Sequence, residues 1–320
     1  MTISICMATC NGAEFLQEQI DSIMNQTYQD FVLYISDDKS TDSTLDIILK
    51  YKDQFPSKIQ LLEREVASGS AKANFLSLLN TVNSDLYLFC DQDDVWSQDH
   101  IELLVNKYIS LPKEERNLPV LIHSDFSVVD EKLNVIASSY FKCYKSPKDP
   151  HKRFYYLANN VTGGVCLIND ALKQYVYKDV KILEKNIDKI LMHDHLFALI
   201  AVEFGKKYFI DSKTNLYRQH SSNVVGSGQA YSIVENLKKI MFINKAKKML
   251  NHNKELLKKN QMMMTFFLDY YDMLSDKEKK IIHSFINIKN RNKISRIIFL
   301  LNKKILRSNF FSNLVLFVII

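Results

Sequence analysis

The chain has 320 residues, 47% of them hydrophobic, and a formal net charge of +6; this composition excludes a disordered chain and leaves room for one full core plus a smaller appendage. The charge is unevenly split: residues 231–320 hold 18 Lys and Arg against 6 Asp and Glu, whereas residues 1–230 hold 24 against 30. The basic end suits an anionic partner and the acidic part suits cations.

The chain opens on a strand-like run, Thr2–Met7, with no basic segment leading into an apolar one, so no signal peptide is expected. Runs of β-branched and aromatic residues at Ile3–Met7, Phe31–Ser36, Lys58–Leu62, Leu86–Cys90 and Val120–His123 alternate with segments of helical spacing, such as Phe15, Leu16, Ile20, Ile23 and Met24. This alternation predicts an α/β fold with a mostly parallel central sheet flanked by helices. Cys6, Cys10, Cys90, Cys143 and Cys166 are odd in number, form no CxxC pair and fall largely in the apolar runs. Reduced thiols of a cytoplasmic protein follow, rather than disulfides or zinc ligands. From about residue 231 the strands give way to lysine-rich helical patterns with an apolar stripe at Met262–Leu268. The chain is therefore divided into 1–230 and 231–320. The final apolar run, Leu314–Ile320, is far shorter than the roughly 20 residues a membrane-spanning helix needs.

In open α/β sheets ligands bind beyond the carboxyl ends of the strands, and three polar loops lie there: Ala8–Gly12, Asp37–Asp42 and Asp91–Trp96. Asp91, Asp93 and Asp94 crowd three carboxylates behind a buried strand, a repulsion that a divalent cation would relieve. A hard cation such as Mg²⁺ or Mn²⁺ takes one or two protein carboxylates and completes its shell with diphosphate oxygens and water. Asp93 and Asp94 are the expected metal contacts, with Asp91 facing a sugar; an acidic N-capping turn before a helix near Ser97 explains only one of the three. Asp38 can accept from a nucleoside, although Thr41 or Asp42 as a helix cap also explains part of that loop.

Four motifs read in order, Met7–Gly12, Ser22–Tyr28, Ser36–Asp42 and Asp91–Trp96, resemble those of family 2 glycosyltransferases. Asn160–Gly164, His193–His195 and Tyr217–Gly226 extend the resemblance to about residue 225, particularly to the rhamnosyltransferase-like branch of bacterial surface polysaccharide synthesis. The resemblance implies a GT-A fold, a nucleoside held by Thr9 and Asp38 with Asn11 in the same motif, and Asp93 and Asp94 serving metal and diphosphate. It also implies Asp194 as catalytic base. Inversion independently demands such a base, opposite the leaving diphosphate, to take the acceptor hydroxyl proton; the plainer reading of Asp194 is the N-cap of a helix over Leu196–Phe204. His193 and His195 are expected to be satisfied surface imidazoles. His220 can ligate metal or, with Arg218, bind diphosphate. Gly163 and Gly164 permit close backbone approach to a sugar, whose hydroxyls Asn160 could reach, or form an ordinary turn. The motifs depart from the family at Cys10, where an aromatic residue is usual, and at Lys39, where Gly or Asn is usual; the latter puts local backbone geometry in question.

The expected reaction is inverting, metal-dependent transfer of a sugar from a nucleotide-sugar donor to a saccharide acceptor carried on a polyprenyl diphosphate. Trp96 and Tyr217–Gly226 favour dTDP-L-rhamnose; a UDP-hexose or UDP-N-acetylhexosamine fits the same scaffold. A nucleotidyltransferase would show an early Gly-rich phosphate loop that residues 8–15 lack. A non-catalytic glycan-binding protein would not need the carboxylate set. The basic helices, with Lys258–Lys259 and Lys303–Arg307 among apolar residues, suit peripheral binding at the cytoplasmic face of a membrane or a homodimer contact; nucleic acid is disfavoured because no recognised module accompanies the charge.

Overall fold

The computed structural model describes residues 1–220 and 241–320, the side chains of 241–247 excepted. The expected boundary near residue 230, the end of the last motif at Ser221–Gly226, and Lys238, Lys239, Lys245 and Lys247 of the basic region lie outside what is described.

Two compact units are present. The first gathers Met1–Tyr144, Val161–Asp179 and the chain from Met192 through the last strand. The second gathers Lys145–Asn160, Val180–Leu191 and the C-terminal helices, so the division is not one cut but includes two earlier excursions.

The first unit is built on a sheet with strands β1 (Ile3–Thr9), β2 (Val32–Asp37), β3 (Ile59–Leu62), β4 (Leu86–Cys90), β5 (Val95–Trp96), β6 (Val120–Val129), β7 (Val135–Ala137), β8 (Cys166–Asn169) and β9 (Lys206–Arg218). Their spatial order is β3-β2-β1-β4-β8-β6-β9-β5, with β7 beside β6. The half formed by β3, β2, β1 and β4 is parallel throughout. Parallel strands are covered on both faces, so β1 and β4 read as continuous apolar runs and every residue of β4 is buried. Cys6, Cys90 and Cys166 fill these strands as small buried side chains, whereas Cys10 and Cys143 are exposed.

Beyond β4 the sheet becomes mixed. β8 runs antiparallel between β4 and β6, β6 and β9 run parallel, and β9 ends antiparallel to the short β5, with Leu216 opposite Val95 and Asn215 opposite Trp96. That last pairing brings the end of a strand late in the sequence to the acidic turn after β4.

Helices α1 (Leu16–Met24), α2 (Thr44–Gln54) and α3 (Ala71–Thr81) connect the parallel strands. Leu16, Ile20 and Ile23 recur at helical spacing and form the buried face of α1. Thr41 and Asp42 do not occupy the N-cap of α2, which is Ser43. Asp42 instead accepts from the backbone N–H of Thr44 at 3.1 Å and from its hydroxyl at 2.6 Å.

The second unit has its core on the helix Met241–Tyr270, where Met263, Met264, Phe266 and Phe267 are buried, packed with Ile281, Ile282 and Phe285 of Asp276–Ile286. Glu278 is buried there and receives Arg153 through Nε at 3.2 Å and Lys152 through Nζ at 3.0 Å. Burial alone would raise its carboxyl, but the Arg153 and Lys152 contacts outweigh burial and hold it below its ordinary value of 4.5. The group's stabilisation is thus complete above that value and is lost as the pH falls through the depressed one. Glu278→Ala, which removes the carboxylate that Arg153 and Lys152 share, is expected to destabilise this unit by about 3 kcal/mol at neutral pH. Urea titrations across the acid range check this: the wild-type advantage should vanish at low pH.

Candidate active site

The site lies at the carboxyl ends of the parallel strands. At the end of β1, Thr9 is buried and donates its hydroxyl to Asp37 at 2.9 Å. Asp37 also accepts from the Ser40 amide at 2.9 Å and the Ser40 hydroxyl at 2.6 Å. Thr9 is therefore committed to shaping the second loop instead of facing a nucleoside with its hydroxyl, and Asp37, passed over in the sequence reading, is the centre of that loop. Asn11 accepts from the Thr41 amide at 2.8 Å through its side-chain oxygen, tying the first loop to the second. Its neighbour Gly12 has no space for a Cβ, which would meet the Gln92 amide at 2.3 Å. Gln92 in turn accepts from the Cys10 N–H at 2.8 Å and donates to the Cys10 carbonyl at 3.0 Å. Three loops from three strands are thus stitched into one floor.

Asp38 stands at the rim. Its carboxylate accepts from the Ser68 and Gly69 amides, with Arg64 at 3.9 Å. Lys39 has φ of 61°, the left-handed region that favours Gly or Asn.

The acidic turn forms the middle of the site. Asp94 is buried, and both oxygens are occupied: one accepts from Asn215 Nδ2 at 2.6 Å, the other from the Arg218 amide at 3.0 Å. Burial, then the charges of Asp93 and Asp91, push its carboxyl well above the usual range despite those donors. Asp94 thus anchors the turn to β9. Asp91 is raised to about 7 by burial, then by Asp93 and Asp194. Asp93 faces outward to His220, whose Nε2 lies 2.8 Å from Oδ2. Among the described residues no three His, Cys, Asp or Glu side chains form a complete protein cage for a metal ion. The carboxylates of the turn and the His220 imidazole are oxygen and nitrogen donors of the kind a hard divalent cation would take together with diphosphate and water.

Two residues expected at the donor are supports. Arg218 is buried, with Nε on the Asp93 carbonyl at 2.8 Å, Nη1 on the Glu131 carbonyl at 2.6 Å, Nη2 on the Glu18 carboxylate, and its guanidinium 4.5 Å from the Phe15 ring centre. These contacts make it a support of the acidic turn. Trp96 is 3% exposed and presents no open face to a sugar. It stacks on His100 at 4.1 Å and donates Nε1 to the Gly164 carbonyl at 3.1 Å.

Gly163 and Gly164 close the site on the side of Asp194. A Cβ on Gly164 would stand 3.2 Å from Asp94 Oδ2 and 3.5 Å from Asp91 Oδ2, so a side chain here would press on Asp94. Asp194 sits in the first turn of α4 (His193–Phe204), whose N-cap is Met192. Asp194 is therefore not the cap; its Oδ2 accepts from the Gly163 amide at 3.1 Å. His193 and His195 are buried, not surface groups. His193 packs among Phe75, Phe89 and Phe197, and burial lowers its imidazole to about 3, keeping it neutral. Asn160 belongs to the second unit, where its amide is spent on Tyr155 at 2.6 Å and the Pro147 carbonyl at 2.6 Å.

A parallel half-sheet, an acidic turn after its fourth strand and a carboxylate close to that turn fit the GT-A fold. Residues 4–114 match the family model described as Glycosyl transferase family 2. It is similar to the dTDP-rhamnosyl transferase RfbG of Shigella flexneri, with 29% identity over 70% of this chain and 75% of the relative. It is also similar to the UDP-Glc:alpha-D-GlcNAc-diphosphoundecaprenol beta-1,3-glucosyltransferase WfgD of Escherichia coli, with 32% identity over 32% of this chain and 40% of the relative. Among solved structures, S. aureus TarS 1-349 in complex with UDP-GlcNAc superposes with a TM-score of 0.54 and 18% identity, covering 89% of this chain and 71% of TarS; this likeness is one of fold.

Arg218→Ala is expected to lower stability by about 3 kcal/mol, because it strands buried carbonyls and a packed ring; a donor-binding residue would instead change donor affinity at unchanged melting temperature. Lys39→Gly is expected to raise stability by about 1 kcal/mol by relieving the left-handed backbone, read from the same melts.

Proposed function

We propose that the chain is an inverting, cation-dependent glycosyltransferase that moves L-rhamnose from dTDP-L-rhamnose to a saccharide carried on a polyprenyl diphosphate, in cell-surface polysaccharide synthesis at the cytoplasmic face of a membrane. The observation that carries the reading is the gathering of acidic groups: the Asp91–Asp94 turn and, near enough to raise Asp91, Asp194, which the Gly163 amide orients. The acceptor hydroxyl oxygen attacks the anomeric carbon, the bond from that carbon to the diphosphate oxygen breaks, and Asp194 takes the hydroxyl proton. Attack from the face opposite the leaving group inverts the centre.

Asp93 and His220 would hold the cation, which neutralises charge on the departing nucleoside diphosphate. Asp91, with a carboxyl that ionises close to neutrality, faces the sugar and gives up its proton when positive charge arrives. Asp38, at the rim of the loop floor, faces the nucleoside.

Rhamnose is favoured by the length of the match to RfbG, which spans most of both chains. A lipid-diphosphate acceptor is favoured by the activity for which WfgD is named, although that match is shorter. That relative's donor, and the UDP-GlcNAc in TarS, keep a UDP-hexose or UDP-N-acetylhexosamine as the second reading.

The test is release of nucleoside diphosphate from dTDP-L-rhamnose, UDP-glucose and UDP-GlcNAc, with Mn²⁺ or EDTA, with and without a polyprenyl-diphosphate saccharide. Release from dTDP-L-rhamnose alone, abolished by EDTA, is expected. Asp194→Asn should lower turnover on the order of a thousandfold while donor binding by calorimetry is retained. Equal turnover in Asp194→Asn would remove the base assignment, and turnover of a UDP-sugar alone would replace the donor.

A further inference from the structure

From Lys279 to Ile320 the chain carries nine Lys and Arg and no Asp or Glu. Two helices occupy the end of this stretch, Lys293–Asn302 and Phe310–Ile319. Each has two apolar faces. On the first, Phe299 and Leu300 are buried, while Ile294, Ile298 and Leu301, at the spacing of one helical stripe, are exposed, Ile294 to 73%. On the second, Leu316 and Ile319 are buried, while Phe310, Phe311, Leu314 and Val318 are exposed, the two phenylalanines to 71% and 77%. The helices are neighbours, since the Arg296 guanidinium donates to the Ile320 carbonyl.

An apolar stripe in water is unfavourable unless something covers it, and concentrated large apolar side chains mark an interaction surface. The surrounding charge selects the occupant. Lys289, Arg291, Lys293 and Lys304 are exposed around the stripes, so a protein partner would have to supply acidic and apolar groups together, whereas an anionic lipid surface supplies both over its whole area. Among the described residues no helix is long and apolar enough to cross a membrane. The geometry suits helices lying in the interface, rings down and ammonium groups at the headgroups.

We propose that Lys293–Asn302 and Phe310–Ile319 form a docking face for an anionic phospholipid surface, with Phe310 and Phe311 as the inserting residues and Lys289, Lys293 and Lys304 as headgroup contacts. The purpose assigned to it, bringing the enzyme to a lipid-linked acceptor, rests on the transferase reading; the surface itself does not.

The test floats the purified full chain with vesicles of phosphatidylethanolamine and phosphatidylglycerol, and with vesicles of phosphatidylcholine, without substrate. Binding to the anionic vesicles only, weakened by salt, is expected. F310S/F311S should weaken it by a factor on the order of ten or more, and each lysine replaced by Gln by about fivefold. Circular dichroism, and donor turnover in vesicle-free solution, should match wild type in these variants. Failure to bind anionic vesicles, or equal binding by F310S/F311S, overturns the proposal. So does a wild-type dimer by light scattering that F310S/F311S dissociates, which would give the face to a second copy. Vesicle binding as expected with no turnover of any donor would sink the transferase reading and leave the docking face standing.

Discussion

Three carboxylates lie within four residues behind a fully buried strand, and the work of keeping them there organises the rest of the first unit. Removing like charges from water is costly unless donors or an opposite charge compensate. Here the donors come from the far end of the chain: Asn215 and the Arg218 amide hold Asp94, Arg218 Nε holds the Asp93 carbonyl, and His220 meets the Asp93 carboxylate. All three residues belong to β9 or follow it at once. The antiparallel pairing of β9 with β5 aligns them with the turn. The departure from a parallel sheet is thus tied to the chemistry, because a sheet ending at β6 would leave the turn without partners.

A second line of support runs from the core to Asp194. Trp96, stacked on His100, holds the Gly164 carbonyl; Gly164 lies against Asp94 and Asp91; Gly163 presents its amide to Asp194. Behind Gly163 stands His193, where a Cβ would approach Nε2 to 2.7 Å. The two glycines therefore do different work. One lets backbone touch carboxylates, and the other lets backbone rest on a buried imidazole while its N–H orients the Asp194 carboxylate.

The acidic turn and the parallel strands were legible because both are local: a run of apolar residues, then a cluster of carboxylates. Asn215 was not, because its link to Asp94 spans 121 positions and depends on strand register. Trp96, Arg218 and Thr9 lie in the right motifs, yet motif membership does not reveal whether a side chain faces a ligand or the core, and packing turned all three inward. The burial of His193 and His195 did carry a local signal. Leu196–Ala201 is six apolar residues in succession, and a helix apolar on every side is enclosed, its first turn included.

Charge in the turn also bears on the order of events in the proposed reaction. Without a compensating cation, Asp91 is held near half-protonation around neutrality by burial and by Asp93 and Asp194. Since the folded state then binds a proton that the unfolded chain has already lost, ionising the turn works against folding as pH rises toward 7. Positive charge beside Asp93 reverses that balance, because the repulsion that opposed ionisation becomes attraction to the newcomer. On the proposed reading the donor complex expels the Asp91 proton on arrival, because the cation's charge offsets that of Asp93 and Asp194 beside it.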